Sequence, residues 1–368
     1  MASSKRFAVP EGAVAQVRII DSTTSIKNIE TEHLMGPAMP GMPVMPEIPT
    51  WSFLVESGTG RKALFDLGVP PSWRDFSPAV TDRLFESKWE ISSEKHVADI
   101  LRDEGVDLSS INSIVWSPGS GMGTDTIDAP SHWHWDHLGD PSTFPGSTEL
   151  VVGPGFKDAF FPGYPAKKDS PVRESDFAGR DVREISFEGK EVLQFGQLRA
   201  VDFFGDGSFY LVDTPGHAVG HLAGLARTTR DTFMMMGGDL CHHGGEIRPS
   251  ELLPLPAEIH LSSSTNYHNG ICPGAAFEAI QKSRSRDSNE PFFEPTMGLD
   301  IPLAIRTIKK VQEADAQDDV LFIYAHDSTI KGIVDLFPRP ANDWKAKGWR
   351  EKVYWKFLED LEGALKEQ

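Results

Sequence analysis

The stretch 131-SHWHWDHLGD-140 decides how this chain is read. In 368 residues with 12 histidines, it places His132, His134 and His137 within six positions, with Asp136 among them. His132 and His134 are two apart between strand and turn signals, so both rings can face one side. Such a segment offers nitrogens to one ion and an oxygen and a nitrogen to a second. Zinc accepts this mixed set, and manganese, iron or cobalt suit the same side chains. One short loop does not complete two coordination shells, so further ligands must come from elsewhere.

Three candidates follow apolar runs: His217 in DTPGHAVGHLAG, Asp239 in MMMGGDLCHH and His326 in YAHDS. Gly216 and the Gly237-Gly238 pair permit close backbone approach beside them. Carboxylates next to apolar runs are seldom buried without a partner, which makes Asp136 and Asp239 the least ordinary members of the set. Asp140 has a plainer role as a turn cap. His221 is equally a donor behind the site or a core histidine.

Composition narrows the partners. Lys plus Arg number 36 against 54 Asp plus Glu, a formal charge of -18 that argues against a nonspecific nucleic-acid surface. Two cysteines, Cys241 and Cys272, make no disulfide framework, which fits a reducing compartment. No apolar run approaches the ~20 residues needed to cross a bilayer, and a cytoplasmic protein without membrane contact is expected.

Along the chain, AVAQVRIID (13–21), WSFLVES (51–57) and RKALFDLG (61–68) read as strands, the last two as a hairpin turning near Gly58-Thr59-Gly60. INSIVW (111–116), TELVVG (148–153), REISF (183–187), QLRAVDFF (197–204), SFYLVDT (208–214), TFMMMGGD (232–239) and DVLFIYAHD (319–327) are further strands. Helices are expected within 78–87 and 94–104, over 303–315, and as one amphipathic closing helix over 353–365. An α/β architecture follows, with chemistry on loops at strand ends. The whole chain, 1–368, is read as a single domain with a helical extension over 340–368 and a Met/Pro-rich loop over 30–50. The Met35, Met39, Met42 and Met45 thioethers of that loop either line an apolar pocket, with Met35 and Met42 as substrate contacts, or cover the core.

The spacing His132-Trp-His134-Trp-Asp136-His137 resembles the HxHxDH signature of the metallo-β-lactamase superfamily, and TPGH, GD and YAHD follow in that family's order over roughly residues 50 to 330. The resemblance implies an αββα sandwich with a metal site at one edge. His132, His134 and His217 would hold one ion, Asp136, His137 and His326 the other, and Asp239 would bridge them. WSFLVES, GDLCHHGGEIRPS and YAHDS resemble the lactonase-like branch, particularly its fungal members. Two departures stand out. Bacterial lactonases of this branch carry a tyrosine three positions after the bridging aspartate, where this chain has His242. A segment over 118–130 also separates the short strand from the histidine motif, as a rim loop or a remnant of gene assembly.

Two ions ~3.5–4 Å apart share a hydroxide that attacks a bound carbonyl. Asp136 is the expected proton shuttle and His242 a candidate for steadying the substrate carbonyl. Trp133, Trp135, His243 and Arg248 join the methionines as candidate substrate contacts, favouring a small apolar or aromatic ring. Trp133 and Trp135 would otherwise pack behind the ligands, His243 would pack in the structure, and Arg248 would pair with Glu246. The preferred reading is opening of a small cyclic ester with two Zn2+ ions, followed by a cyclic amide or carbamate, then a thioester. Phosphodiester hydrolysis, an oxygen-using enzyme and a noncatalytic metal scaffold remain as alternatives. No Ser-His-Asp triad or phosphate loop is apparent.

Overall fold

The computed structural model describes residues 7–117, 134–260 and 271–366. His132, Trp133 and the 118–130 segment lie outside these residues.

The apolar runs form two six-stranded sheets. The first contains β1 (Gln16–Asp21), β2 (Trp51–Glu56), β3 (Lys62–Phe65), β4 (Ser113–Val115), β5 (Glu149–Val152) and β6 (Val182–Glu184), in that spatial order. Its first three strands are antiparallel neighbours and its last four run parallel. The second contains β7 (Leu193–Phe195), β8 (Leu198–Asp202), β9 (Phe209–Asp213), β10 (Leu222–Thr229), β11 (Thr232–Met236) and β12 (Val320–Ile323). It is antiparallel except for the parallel pair β11 and β12.

Strand alternation explains why these runs are apolar on both faces. In β2, Trp51, Phe53 and Val55 pack between the sheets, while Leu54 faces an outer layer. In β11, Met234 and Met236 point inward, and Phe233 and Met235 point outward. On the outer face of the first sheet lie α1 (Pro78–Glu86) and α2 (Val97–Asp103), contributing Val80, Leu84, Val97 and Leu101. The second sheet is covered by α5 (Ile301–Asp315) through Ile308, Val311 and Ala314; α3 (Trp135–Leu138) and α4 (Gly274–Ser283) complete the labelled helices. The layers are those of an αββα sandwich. No helix among the described residues is long and apolar enough to cross a membrane.

The expected closing helix is broken. Trp349–Val353 is α-helical, Lys356–Leu361 is 3-10 and Glu362–Lys366 is α-helical again. Arg248 Nη1 donates to the Tyr354 carbonyl at 3.0 Å, and this side-chain contact coincides with the break at Trp355. The 30–50 segment buries all four methionines in the core beside the first sheet.

Candidate metal centre

The site lies beyond the C-terminal ends of strands from both sheets. Asp66 follows β3, Ser117 follows β4, His217 follows β9, Asp239 follows β11 and His326 follows β12. His134 caps the start of α3, which carries Asp136 and His137. The Trp116 indole N–H donates to the Leu138 carbonyl at 3.0 Å, tying α3 to the end of β4. The backbone N–H of Leu67 donates to the His137 carbonyl at 2.9 Å, fixing α3 against β3 as well.

Two glycines make the close approach possible. Gly216 has φ +126°, and a Cβ there would stand 2.3 Å from the Ala304 nitrogen at the start of α5. Gly238 has φ +54°, and a Cβ would stand 2.7 Å from Ser117 Oγ. Larger residues would push the turns carrying His217 and Asp239 away from their neighbours.

These turns gather three overlapping donor groups among the described residues, His134 with His217 and Asp239, Asp136 with His137 and His326, and Asp239 with His242 and His326; within each, the ligand atoms lie within 4.8 Å of one another. All seven residues are at most 5% exposed. His134 Nδ1 lies 2.8 Å from Asp239 Oδ2 and 3.3 Å from His217 Nε2. On the other side, Asp239 Oδ1 is 2.8 Å from His137 Nε2 and 2.9 Å from His326 Nε2. Asp136 Oδ2 is 3.4 Å from the same His326 nitrogen.

The tautomers show what these atoms require. His137 Nδ1–H donates to Asp66 Oδ2 at 2.9 Å, and His326 Nδ1–H donates to the Pro49 carbonyl at 2.9 Å. In a neutral ring, each leaves an Nε2 lone pair facing the lone pairs of Asp239. Neither His137 Nε2 nor Asp239 Oδ1 has a hydrogen-bond partner among the described residues, and Asp136 Oδ1 has none either. Buried lone pairs aimed at one another are costly without a cation between them. The residues therefore fit a pair of metal ions.

Electrostatics prepare the donors. Burial lowers the His134 imidazole to about 4 and, with the nearby His134 charge, the His217 imidazole to about 3, so both are neutral near pH 7. Burial opposes ionisation of Asp239, yet the positive charge of His137 and His326 beside it holds its carboxyl well below the usual carboxylate range; against its own burial, His137 is in turn raised well above its usual value by Asp239, Asp66 and Asp136, so without an ion it carries the proton that a metal would replace. Neutral imidazole and ionised carboxylate are the forms that bind a metal.

His221 supports the centre without joining any of these groups. Its Nε2 accepts the Asp239 backbone N–H at 3.1 Å, so Nδ1–H donates to the Thr214 carbonyl at 3.0 Å. Burial and the neighbouring His217 lower its pKa to about 3. Asp140 caps the short turn at Pro141–Thr143, as its plainer reading expects.

The other expected contacts divide. Trp135 lines a cleft with Asp136, His242 and His326. Met35 and Met42 are in the core, and the cleft instead receives Ile29, Leu34 and Ile48 from the same N-terminal segment, together with Trp89. His243 is held away by its packing: its Nδ1 accepts Gly245 N–H at 3.0 Å, its Nε2 is 3.3 Å from Asp360 Oδ2, and its ring meets Phe293 and Phe357 edge-on. Arg248 is 2% exposed and bidentate to Asp315 at 2.9 and 2.6 Å, so its charge is engaged there rather than at Glu246 or the cleft.

The sequence reading missed Asp66, Glu246 and Trp89. Asp66 ends the apolar run RKALF, the same strand-end signal that singled out Asp239.

No family model matches the chain. It is 41% identical over 365 residues to gamma-lactamase FDB1 of Fusarium pseudograminearum, covering 96% of this chain and 84% of that protein. It is also 40% identical to cytochrome P450 monooxygenase mpaDE of Penicillium roqueforti; the match takes in 97% of this chain but spans 38% of that longer protein. Among solved structures, a quorum-quenching N-acyl homoserine lactone hydrolase superposes with a TM-score of 0.56 at 15% identity, over 90% of this chain and 100% of that one. With the αββα layers and the paired donor groups, these likenesses show that the chain belongs to the metallo-β-lactamase superfamily, as a relative of its fungal lactamases.

Proposed function

We propose that this chain is a dinuclear zinc hydrolase that opens a small apolar or aromatic ring, a cyclic amide foremost and a cyclic ester second. The observation carrying the proposal is the pair of buried donor groups on either side of Asp239, with unpartnered acceptor atoms turned on one another. Imidazole and carboxylate donors suit zinc. When bound, the ions supply Lewis-acid polarisation of a carbonyl and a water of lowered pKa.

The protein's own groups do the rest. His134 and His217 would hold one ion, His137, His326 and Asp136 the other, and Asp239, between the two groups, would serve both. His132 would complete the first set. Asp136 has Oδ2 turned towards His326 while Oδ1 has no protein partner among the described residues, which leaves it an oxygen for moving a proton. Ile29, Leu34, Ile48, Trp89 and Trp135 line the apolar side of the narrow cleft beside Asp136 and His326, the surface that a flat ring would meet.

The amide stands first because the 41% identical relative is named a gamma-lactamase. The ester stands beside it on the resemblance of WSFLVES, GDLCHHGGEIRPS and YAHDS to the lactonase-like branch, and because both rings open through similar tetrahedral states. The whole chain serves as one catalytic unit in this reading. The two buried free cysteines suit a reducing, cytoplasmic setting.

The test is a screen of the zinc-loaded protein against ring-matched lactams, lactones and a thioester panel, read by the mass gain of one water. Ring opening lost on chelation and restored by zinc is expected. A protein with both ions bound that opens no ring in the panel would refute the reading.

A further inference from the structure

The loop after Asp239 contains a buried pair whose polar atoms are only partly engaged. His242 is 3% exposed, and neither of its ring nitrogens has a hydrogen-bond partner among the described residues. Its ring is 5.6 Å from that of His326, nearly parallel at 11°, and 5.0 Å from that of His217. It lines the cleft beside Asp136 and Trp135. Glu246, 1% exposed, stands behind it. Glu246 Oε2 is 3.6 Å from His242 Nδ1 and accepts the backbone N–H groups of His242 and His243, while Oε1 has no partner among the described residues. The same contacts close a capping box over Gly244–Glu246, and Phe357 packs against Gly244, so the carboxylate has little freedom to turn away.

A carboxylate accepts hydrogen bonds and donates none, so the imidazole nitrogen facing it is the one that carries hydrogen. In a neutral ring the other nitrogen then presents a lone pair. We propose that Glu246 is a positioning residue that fixes His242 as its Nδ1–H tautomer, leaving Nε2 to accept the N–H of a ring amide or cyclic carbamate. The proposal rests on the hydrolase reading above and deepens it by naming what selects among rings. A lactam or carbamate with a free N–H satisfies the buried lone pair. A lactone or an N-alkylated lactam leaves it unpaired, and a site built for an N–H discriminates strongly against such analogues.

The experiment uses the zinc-loaded chain with oxindole, N-methyloxindole and benzofuran-2-one as matched probes. Glu246→Gln keeps an oxygen for the two backbone N–H groups but removes the charge. It is expected to lower kcat/KM for oxindole by at least ~10-fold, mostly through KM, and to change the other two by less than ~3-fold. Ion content and melting temperature should remain those of the unsubstituted chain. Independently, long-range 1H–15N spectra of the unsubstituted chain should show the His242 proton on Nδ1. Equal losses on all three probes, loss of an ion in Glu246→Gln or His242→Phe, or an Nδ1 without hydrogen would overturn the assignment. Ring opening with no N–H preference would sink this inference alone, whereas a chain with both ions that opens none of a wider lactam, lactone and thioester panel would fail at the hydrolase reading itself.

Discussion

Asp66 reaches the candidate centre through His137. It receives the Nδ1–H of His137 and is itself held by the backbone N–H and hydroxyl of Ser117, at 2.7 and 2.6 Å. Removing such a support usually costs ~10–100-fold in metal affinity. Asp66→Ala should therefore weaken zinc binding by that factor while leaving a folded protein, as measured by competition with a chromogenic chelator. Unchanged affinity would show that packing alone orients His137. The clustering of the candidate ligands was legible in the sequence because His134, Asp136 and His137 share one short run and His217, Asp239 and His326 each end an apolar segment. Glu246 was not, because the partner that gives it meaning, His242, faces it only after the 242–246 loop has folded. Arg248 was misplaced for a related reason: Asp315, which pairs with it, is 67 residues away in sequence.

At the scale of elements, the broken C-terminal helix is a brace. Phe357 packs on Gly244, Asp360 reaches His243, and Gly363 meets Gly41 so closely that a Cβ on either would come within 2.8 Å of the other's backbone. One segment thus supports both the loop behind His242 and the Met-rich segment along the cleft. Phe357→Ala removes a 1% exposed ring and should cost ~3–5 kcal/mol in urea unfolding. It should also speed amide exchange at Gly244 to Glu246 more than in β11. Uniform acceleration would mean that the brace stabilises the fold without specially supporting the loop. Most strands were readable because burial on both faces makes them continuous apolar runs, as in FYLVD and FMMM. The closing helix was overread because its periodicity continues through Tyr354, whose carbonyl meets the Arg248 guanidinium.

For the whole molecule, the donors that fit a pair of ions stand crowded together in the metal-free fold. Asp239 Oδ1 and His137 Nε2 face one another at 2.8 Å without a hydrogen bond. Chelation should lower the melting temperature, and zinc at 100 times its dissociation constant should add ~2.7 kcal/mol for each site that binds only the folded chain. Calorimetry with and without a chelator checks this; an unchanged transition would mean that the centre is satisfied without ions. The α/β class was legible from the apolar strand runs, and the sandwich itself only through the resemblance that the family-like motif order carries. Its cleft wall was harder to read because Ile29, Leu34, Ile48 and Trp89 come from separate turns that meet only in the fold. The donors run from His134 to His326 and belong to loops of both sheets, so no early portion of the nascent chain contains a finished centre. Any ion held by this full set of donors would consequently be gathered only after loops of both sheets have met.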